Sequence, residues 1–283
     1  MGERLQKVLA RHGFGSRREI EGWMRDGRVL LNGKPAGPGD PYQLGDRVRI
    51  DGRDVTARLA REVAPAVLIH HKVTGESLDR GAAAGATLLD RLPSVRGARW
   101  IPVNRMSPGD SGLALFTTDG RLANALMRAA AKLPAIYMVR VHAPDAAART
   151  ALLVKHVVLE GVRVEFDTVE PAGGEGSNRW FKVTAPGADR RSAVRALFES
   201  QGFTVSRVIQ TRLAEIDLPR DLPRGRHRQL PSAAVTALYE RVGLAPPDVA
   251  SLSGKHRSGA PLRRVKPARK GRAGPVRSRS HKT

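Results

Sequence analysis

The chain has no cysteine, so it can form neither a disulfide nor a thiolate metal site, and a cytoplasmic location is expected. No apolar run approaches the ~20 residues that a membrane span needs, and residues 1–4 lead into an amphipathic helix rather than a signal-peptide core. Neither a Gly-x-Gly-x-x-Gly nor a phosphate loop is present. The 8 histidines show no metal-ligand spacing, and a strand would point the adjacent His70 and His71 to opposite faces. No metal or cofactor is therefore expected. Acidic residues are also few, with 27 Asp and Glu against 49 Lys and Arg, a formal net charge of +22. Such an excess favours a polyanionic partner, and nucleic acid is the commonest soluble one. The imbalance is uneven, because residues 251–283 carry half of the net charge and contain no acid at all.

What is present suffices for one large or two modest domains: 283 residues, 41% of them hydrophobic. Residues 3–11 place Leu5, Val8 and Leu9 on one helical face. Ser16-Arg17-Arg18-Glu19 is a capping box that starts a second helix at Arg17, with Ile20, Trp23 and Met24 as its buried stripe. Residues 28–31 and 47–50 read as strands, and Asn32-Gly33 is a hairpin turn. These elements predict a small domain over residues 1–52 that presents Arg17, Arg18, Arg25 and Arg28 to a phosphate backbone. Residues 53–65 are polar and without period, a linker by composition. Residues 66–242 form a second domain, and 243–283, rich in Pro, Gly, Ser, Lys and Arg, a disordered basic tail suited to tethering RNA.

In the second domain strands are predicted over 66–70, 99–103, 112–117, 136–142, 157–168, 179–184 and 203–210. Helices are predicted over 121–132, 145–154, 190–200 and 232–242. Strands outnumber helices without alternating strictly with them, which argues for an α+β fold with a mixed or antiparallel sheet. Within it, Pro102-Val103-Asn104-Arg105-Met106-Ser107-Pro108-Gly109-Asp110-Ser111-Gly112 runs into Leu113-Ala114-Leu115-Phe116-Thr117-Thr118-Asp119-Gly120. This reads as strand, polar loop, strand, and a polar loop held between buried strands is suited to chemistry. Ser107 to Asp110 has the residues of a type II turn.

The same stretch resembles the active-site motif of bacterial ribosomal pseudouridine synthases that carry an N-terminal S-four-type RNA-binding domain. The first domain is similar to that module in Arg4-Leu5-Gln6-Lys7-Val8-Leu9-Ala10, Ser16-Arg17-Arg18, Gly27-Arg28-Val29, Asn32-Gly33 and Gly45-Asp46. The resemblance implies an α/β domain on a mainly antiparallel sheet with the cleft across it. It also implies ribosomal RNA or precursor ribosomal particles as partner, with Arg4, Lys7, Arg17, Arg18, Arg25 and Arg28 of the first domain placed to meet it. Arg191 and Arg195 share a face on helical spacing, so both either meet a phosphate or are solvated. A monomer is expected. By the motif, Arg105 is the active-site arginine, Tyr137 the tyrosine of a Lys-x-Tyr-x-Val strand, and Arg195 the last arginine of Arg-Gln-Val-Arg, with Ser192 and Ala193 replacing its first two residues. Lys72 and Gly75 match a Lys-Pro-x-Gly turn in which Val73 replaces the proline.

The departure is central: the family's nucleophilic aspartate follows the Arg-Leu pair, and that position is Ser107. Isomerising uridine needs a carboxylate at the sugar, a cation to hold it and an aromatic group against the flipped base. A neutral hydroxyl with no base beside it does not replace the carboxylate. The expected function is RNA binding within a synthase fold that has lost isomerisation. Two alternatives stand beside it: an active enzyme using Asp110, and a charge-driven, non-specific RNA chaperone.

Overall fold

The computed structural model describes residues 2–61, 64–78, 87–95, 97–142, 154–187 and 190–246. The helix expected over 145–154 and nearly all of the basic tail lie outside the described residues.

The N-terminal domain is built on helices α1 (Leu5–Arg11) and α2 (Arg17–Arg25), strands β1 (Val29–Leu31), β2 (Val48–Ile50) and β3 (Arg53–Asp54), and a single helical turn α3 (Thr56–Leu59). The capping box forms: the Glu19 amide donates to Ser16 Oγ at 3.2 Å and the Ser16 amide to Glu19 Oε2 at 2.5 Å. Asn32 and Gly33 both take positive φ, so the chain reverses between the paired Leu31 and Lys34. Leu5, Val8, Leu9, Ile20, Met24, Val29 and Val48 close the core. Leu59 joins that core, and Thr56 Oγ1 accepts from the Val48 amide at 3.0 Å. Residues 53–59, expected in the linker, are therefore secured to the first domain, because their few apolar side chains are buried within it.

The second domain is organised on strands β4 (Val67–Lys72), β5 (Ser111–Thr117), β6 (Ala135–His142), β7 (His156–Leu159), β8 (Val162–Glu165), β9 (Thr168–Pro171), β10 (Asn178–Ala185), β11 (Thr204–Leu213) and β12 (His227–Gln229). Its main sheet runs in the order β9-β10-β6-β11-β5-β4-β12. Along that path only β11 and β5 are parallel, a mixed and mainly antiparallel sheet. Helices α4 (Gly120–Ala129), α5 (Arg191–Glu199) and α6 (Ser232–Arg241) supply apolar side chains to the larger core.

Alternation along the strands divides the interior. Val67 and Ile69 of β4, with Leu113 and Leu115 of β5, enter the larger core, while Leu68, Ala114 and Phe116 pack in a second cluster with Leu88, Trp100 and Met106. Both faces of these strands are covered, which is why they read as continuous apolar runs. The single strand expected over 157–168 is instead the hairpin β7–β8 followed by β9. Glu160 and Gly161 both take positive φ and reverse the chain there. Among the described residues no helix is long and apolar enough to cross a membrane.

Candidate active site

The site opens where β5 changes partners. Along one edge β5 pairs with β4 from Gly112 to Thr117. Along the other, β11 pairs at Ser111 and Gly112, while Ile101-Pro102 pairs at Phe116 and Thr117. Backbone groups of β5 between these two contacts need partners. Asn104 supplies them: its Oδ1 accepts from the Leu115 amide at 2.9 Å, and its Nδ2 donates to the Leu113 carbonyl at 2.8 Å. One side chain thus stands in for a strand, and the fork it props open leads to the loop 104–110.

At the base of the fork, Gly112 has φ near 107° and pairs with Gln210. A Cβ there would overlap the Gln210 carbonyl oxygen, so β11 approaches β5 only because this residue is glycine.

The loop closes as a turn, with the Asp110 amide donating to the Ser107 carbonyl at 3.1 Å. Gly109 does not take the positive φ of a type II turn, which corrects the sequence expectation. Lys72 organises the bend. Its fully buried ammonium donates to the carbonyls of Ser107 at 2.9 Å and Asp110 at 2.7 Å, with those of Val73 and Pro108 at 3.4 Å. Burial lowers the Lys72 pKa, opposed by the carboxylates of Asp110 and Glu76. The Gly75 amide adds a bond to the Pro108 carbonyl at 2.8 Å, so the 72–75 turn and the loop are fastened together.

Asp110 caps this turn: its Oδ2 accepts from the Ser107 amide at 2.7 Å and lies 4.0 Å from Arg191 Nε. Ser107 is exposed at the mouth of a cavity of about 860 Å³, with Arg105, Asp110, Arg191, Ser192 and Arg195 also in its lining. Arg191 is not the surface cation expected from sequence. It is only 7% exposed, and its guanidinium donates to the carbonyl of Arg105 and to Gln210 Oε1, leaving Nε without a hydrogen bond. Helical phase explains the change, because Arg191 faces inward with Val194 and Leu197, whereas Arg195 is exposed. Arg195 pairs with Glu199 at 3.5 Å and donates to the Val205 carbonyl at 3.0 Å.

Tyr137 is fully buried on β6, outside the cavity lining. Its ring lies 6.0 Å from the Arg191 guanidinium, and its hydroxyl accepts from the Arg190 amide at 3.4 Å. The structure thus brings Arg105, Ser107, Asp110, Arg191 and Arg195 to one cleft and sets Tyr137 behind it. Asn104 and Gln210 were absent from the sequence-derived set. Their signal is a polar residue at a buried position in an apolar strand context: Gln210 is fully buried, and its Oε1 also accepts from Asn104 Nδ2 at 3.0 Å.

Of the cations expected to meet RNA, Arg18 and Arg25 are exposed. Arg28 is held by Asp51 through two bonds of 2.7 Å, and Lys7 pairs with Glu3 at 2.7 Å. Arg4 and Arg17 are exposed beside α4 of the second domain, with which they line a further cavity.

Residues 3–56 match the S4 domain family. The chain is similar to the ribosomal large subunit pseudouridine synthase B of Escherichia coli K12, 44% identical over 254 residues that cover 89% of this chain and 87% of that protein. It is 45% identical over 248 residues to the protein of the same name from Vibrio cholerae, covering 87% and 77% of the two chains. Among solved structures, a pseudouridylate synthase superposes with a TM-score of 0.53 at 17% identity, over 83% of this chain and 99% of that one, which supports the fold.

Proposed function

The chain belongs to the bacterial ribosomal pseudouridine synthase family, and we propose that it binds ribosomal RNA, free or in precursor particles, as a monomer without efficient uridine isomerisation. On the motif, Ser107 stands at the nucleophile's position. The observation that carries the reading is the state of the nearest carboxylate: Asp110 Oδ2 is engaged by the Ser107 amide at 2.7 Å as the cap of the turn. Ser107 itself offers a neutral, exposed hydroxyl. A nucleophile must be held within roughly half an ångström of productive geometry, and Asp110 is positioned by the needs of the turn. Each ~1.4 kcal/mol of transition-state stabilisation lost is about tenfold in rate, so an absent nucleophile costs many such factors.

A second reading has one observation in its favour. Asp110 lies 4.0 Å from the otherwise unpartnered Nε of a buried arginine, inside the cleft, and a carboxylate under a cation is the arrangement that the reaction uses. The test is pseudouridine formation on ribosomal RNA or precursor particles lacking their own modifications, with binding measured in parallel. The wild type and Asp110→Asn are expected to bind without product, since asparagine still accepts from the Ser107 amide, while Ser107→Asp gains product. Product from the wild type that disappears in Asp110→Asn would establish the second reading instead.

A further inference from the structure

Away from the cleft, the two domains enclose a second concavity of about 940 Å³. The N-terminal domain contributes Arg4 just before α1, Lys7 of α1 and Arg17 at the start of α2, with one acid, Glu3, beside them. The opposite wall is one stripe of α4 and the turn after it: Arg121, Asn124, Arg128 and Lys132, at spacings of three or four residues, with small Ala125 and Ala129 between them. Lys7 pairs with Glu3, and Arg241 at the rim with Glu215. For Arg4, Arg17, Arg121, Arg128 and Lys132 no ion pair forms among the described residues. Like charges facing each other across a concavity repel, and the low-dielectric walls concentrate their field. A solvated basic surface would spread these cations over a convex face, whereas here two domains point them at one another.

We propose that this groove is a binding track for the phosphodiester backbone of RNA, holding the strand that leads away from the nucleotide in the cleft. The proposal rests on the RNA-binding reading above and adds a location and a path. Helix α4 separates the two cavities, with Met127 lining the cleft and Arg128 the groove. A strand crossing that helix reaches both, and its phosphates neutralise cations from both domains, which fixes the N-terminal domain against the body. A flat membrane surface does not enter a groove.

The absence of cysteine makes the location directly testable in the full chain. A photo-crosslinker on Asn124→Cys, at the groove wall, is expected to attach to a labelled ribosomal RNA stem-loop, and one on Glu170→Cys, on edge strand β9, is not. In a salt titration, Arg121→Gln/Arg128→Gln/Lys132→Gln is expected to lower the slope of log K against log[salt] by about 2 and to weaken binding at least tenfold, at roughly 0.7–0.9 for each phosphate that is no longer neutralised. Arg220→Gln/Arg224→Gln/Arg226→Gln removes as much charge from exposed positions elsewhere and is expected to change the slope less. Wild-type RNA binding with no crosslink at Asn124→Cys, or equal slope changes in the two triple variants, would overturn the groove and leave the RNA-binding reading intact. No RNA binding by the wild type would overturn that reading and the groove with it.

Discussion

The cleft and the interdomain groove both collect cations, yet they use them in opposite ways. In the cleft Lys72 and Arg191 are buried, and apart from Arg191 Nε their donors meet the protein's own oxygens: the carbonyls of Ser107, Asp110 and Arg105 and the side chain of Gln210. In the groove Arg121, Arg128 and Lys132 are exposed. Burying a charge costs less the more of its donors are satisfied, and here most of them are satisfied by main-chain carbonyls, so the cleft cations hold a backbone in shape. An exposed, unpaired charge adds little to stability and remains available to a partner. Positive charge by itself therefore does not mark a surface free to meet a polyanion; its donors must also be accessible.

The comparison is broken most severely by removing the geometry on which the cleft depends. Gly112→Ala places a methyl group on the Gln210 carbonyl at a φ that L-residues avoid, so β11 must separate from β5. A loss of more than about 4 kcal/mol is expected, measured by urea denaturation, with failure to accumulate as folded protein as the extreme outcome. Wild-type stability would mean that the two strands are not held this close. Lys72→Met is expected to rank next. It takes the ammonium from the half-buried Ser107 and Asp110 carbonyls, of which only the first keeps another donor, the Asp110 amide, at about 3 kcal/mol, partly offset by relief of the lysine's own desolvation. A thermal midpoint lowered by about 6–12 °C would agree with that figure. Asn104→Ala exposes the Leu115 amide and the Leu113 carbonyl at the fork, and about 2 kcal/mol is expected in the same denaturation assay. An effect under ~0.5 kcal/mol would show that the fork does not depend on this side chain.

How much of this was legible in the sequence follows the range of the interactions. The capping box, the Asn32-Gly33 turn and the apolar faces of α1 and α2 are local, and their patterns appear directly in the chain. The loop 104–110 was also visible, as a polar insert between apolar runs. Its internal geometry was not, because Lys72 lies 35 residues from the Ser107 carbonyl it binds, and Asn104 lies 106 from Gln210. The Glu160-Gly161 reversal escaped notice because Glu at positive φ is uncommon, and the run of valines around it reads as one strand. Arg191 and Arg195 lie near one another by spacing alone, yet one is buried and the other exposed, since Arg191 sits at the edge of the buried face of α5 and Arg195, rotated by roughly 40° at 3.6 residues per turn, falls beyond it.

The smallest stability effect carries the sharpest form of the comparison. Arg121→Gln/Arg128→Gln/Lys132→Gln removes three exposed side chains for which no ion pair forms among the described residues, so the folding free energy is expected to change by no more than about 0.5 kcal/mol. A slight gain is the more natural sign, because the variant relieves repulsion across the groove. Lys72→Met removes one charge and is expected to cost several times as much. If the triple variant instead proved as destabilised as Lys72→Met, the groove cations would be supporting the fold, and the contrast between the two regions would fail. Unchanged unfolding together with weakened RNA binding is the pairing that a charge placed for a partner produces, and a charge placed for the scaffold cannot produce it.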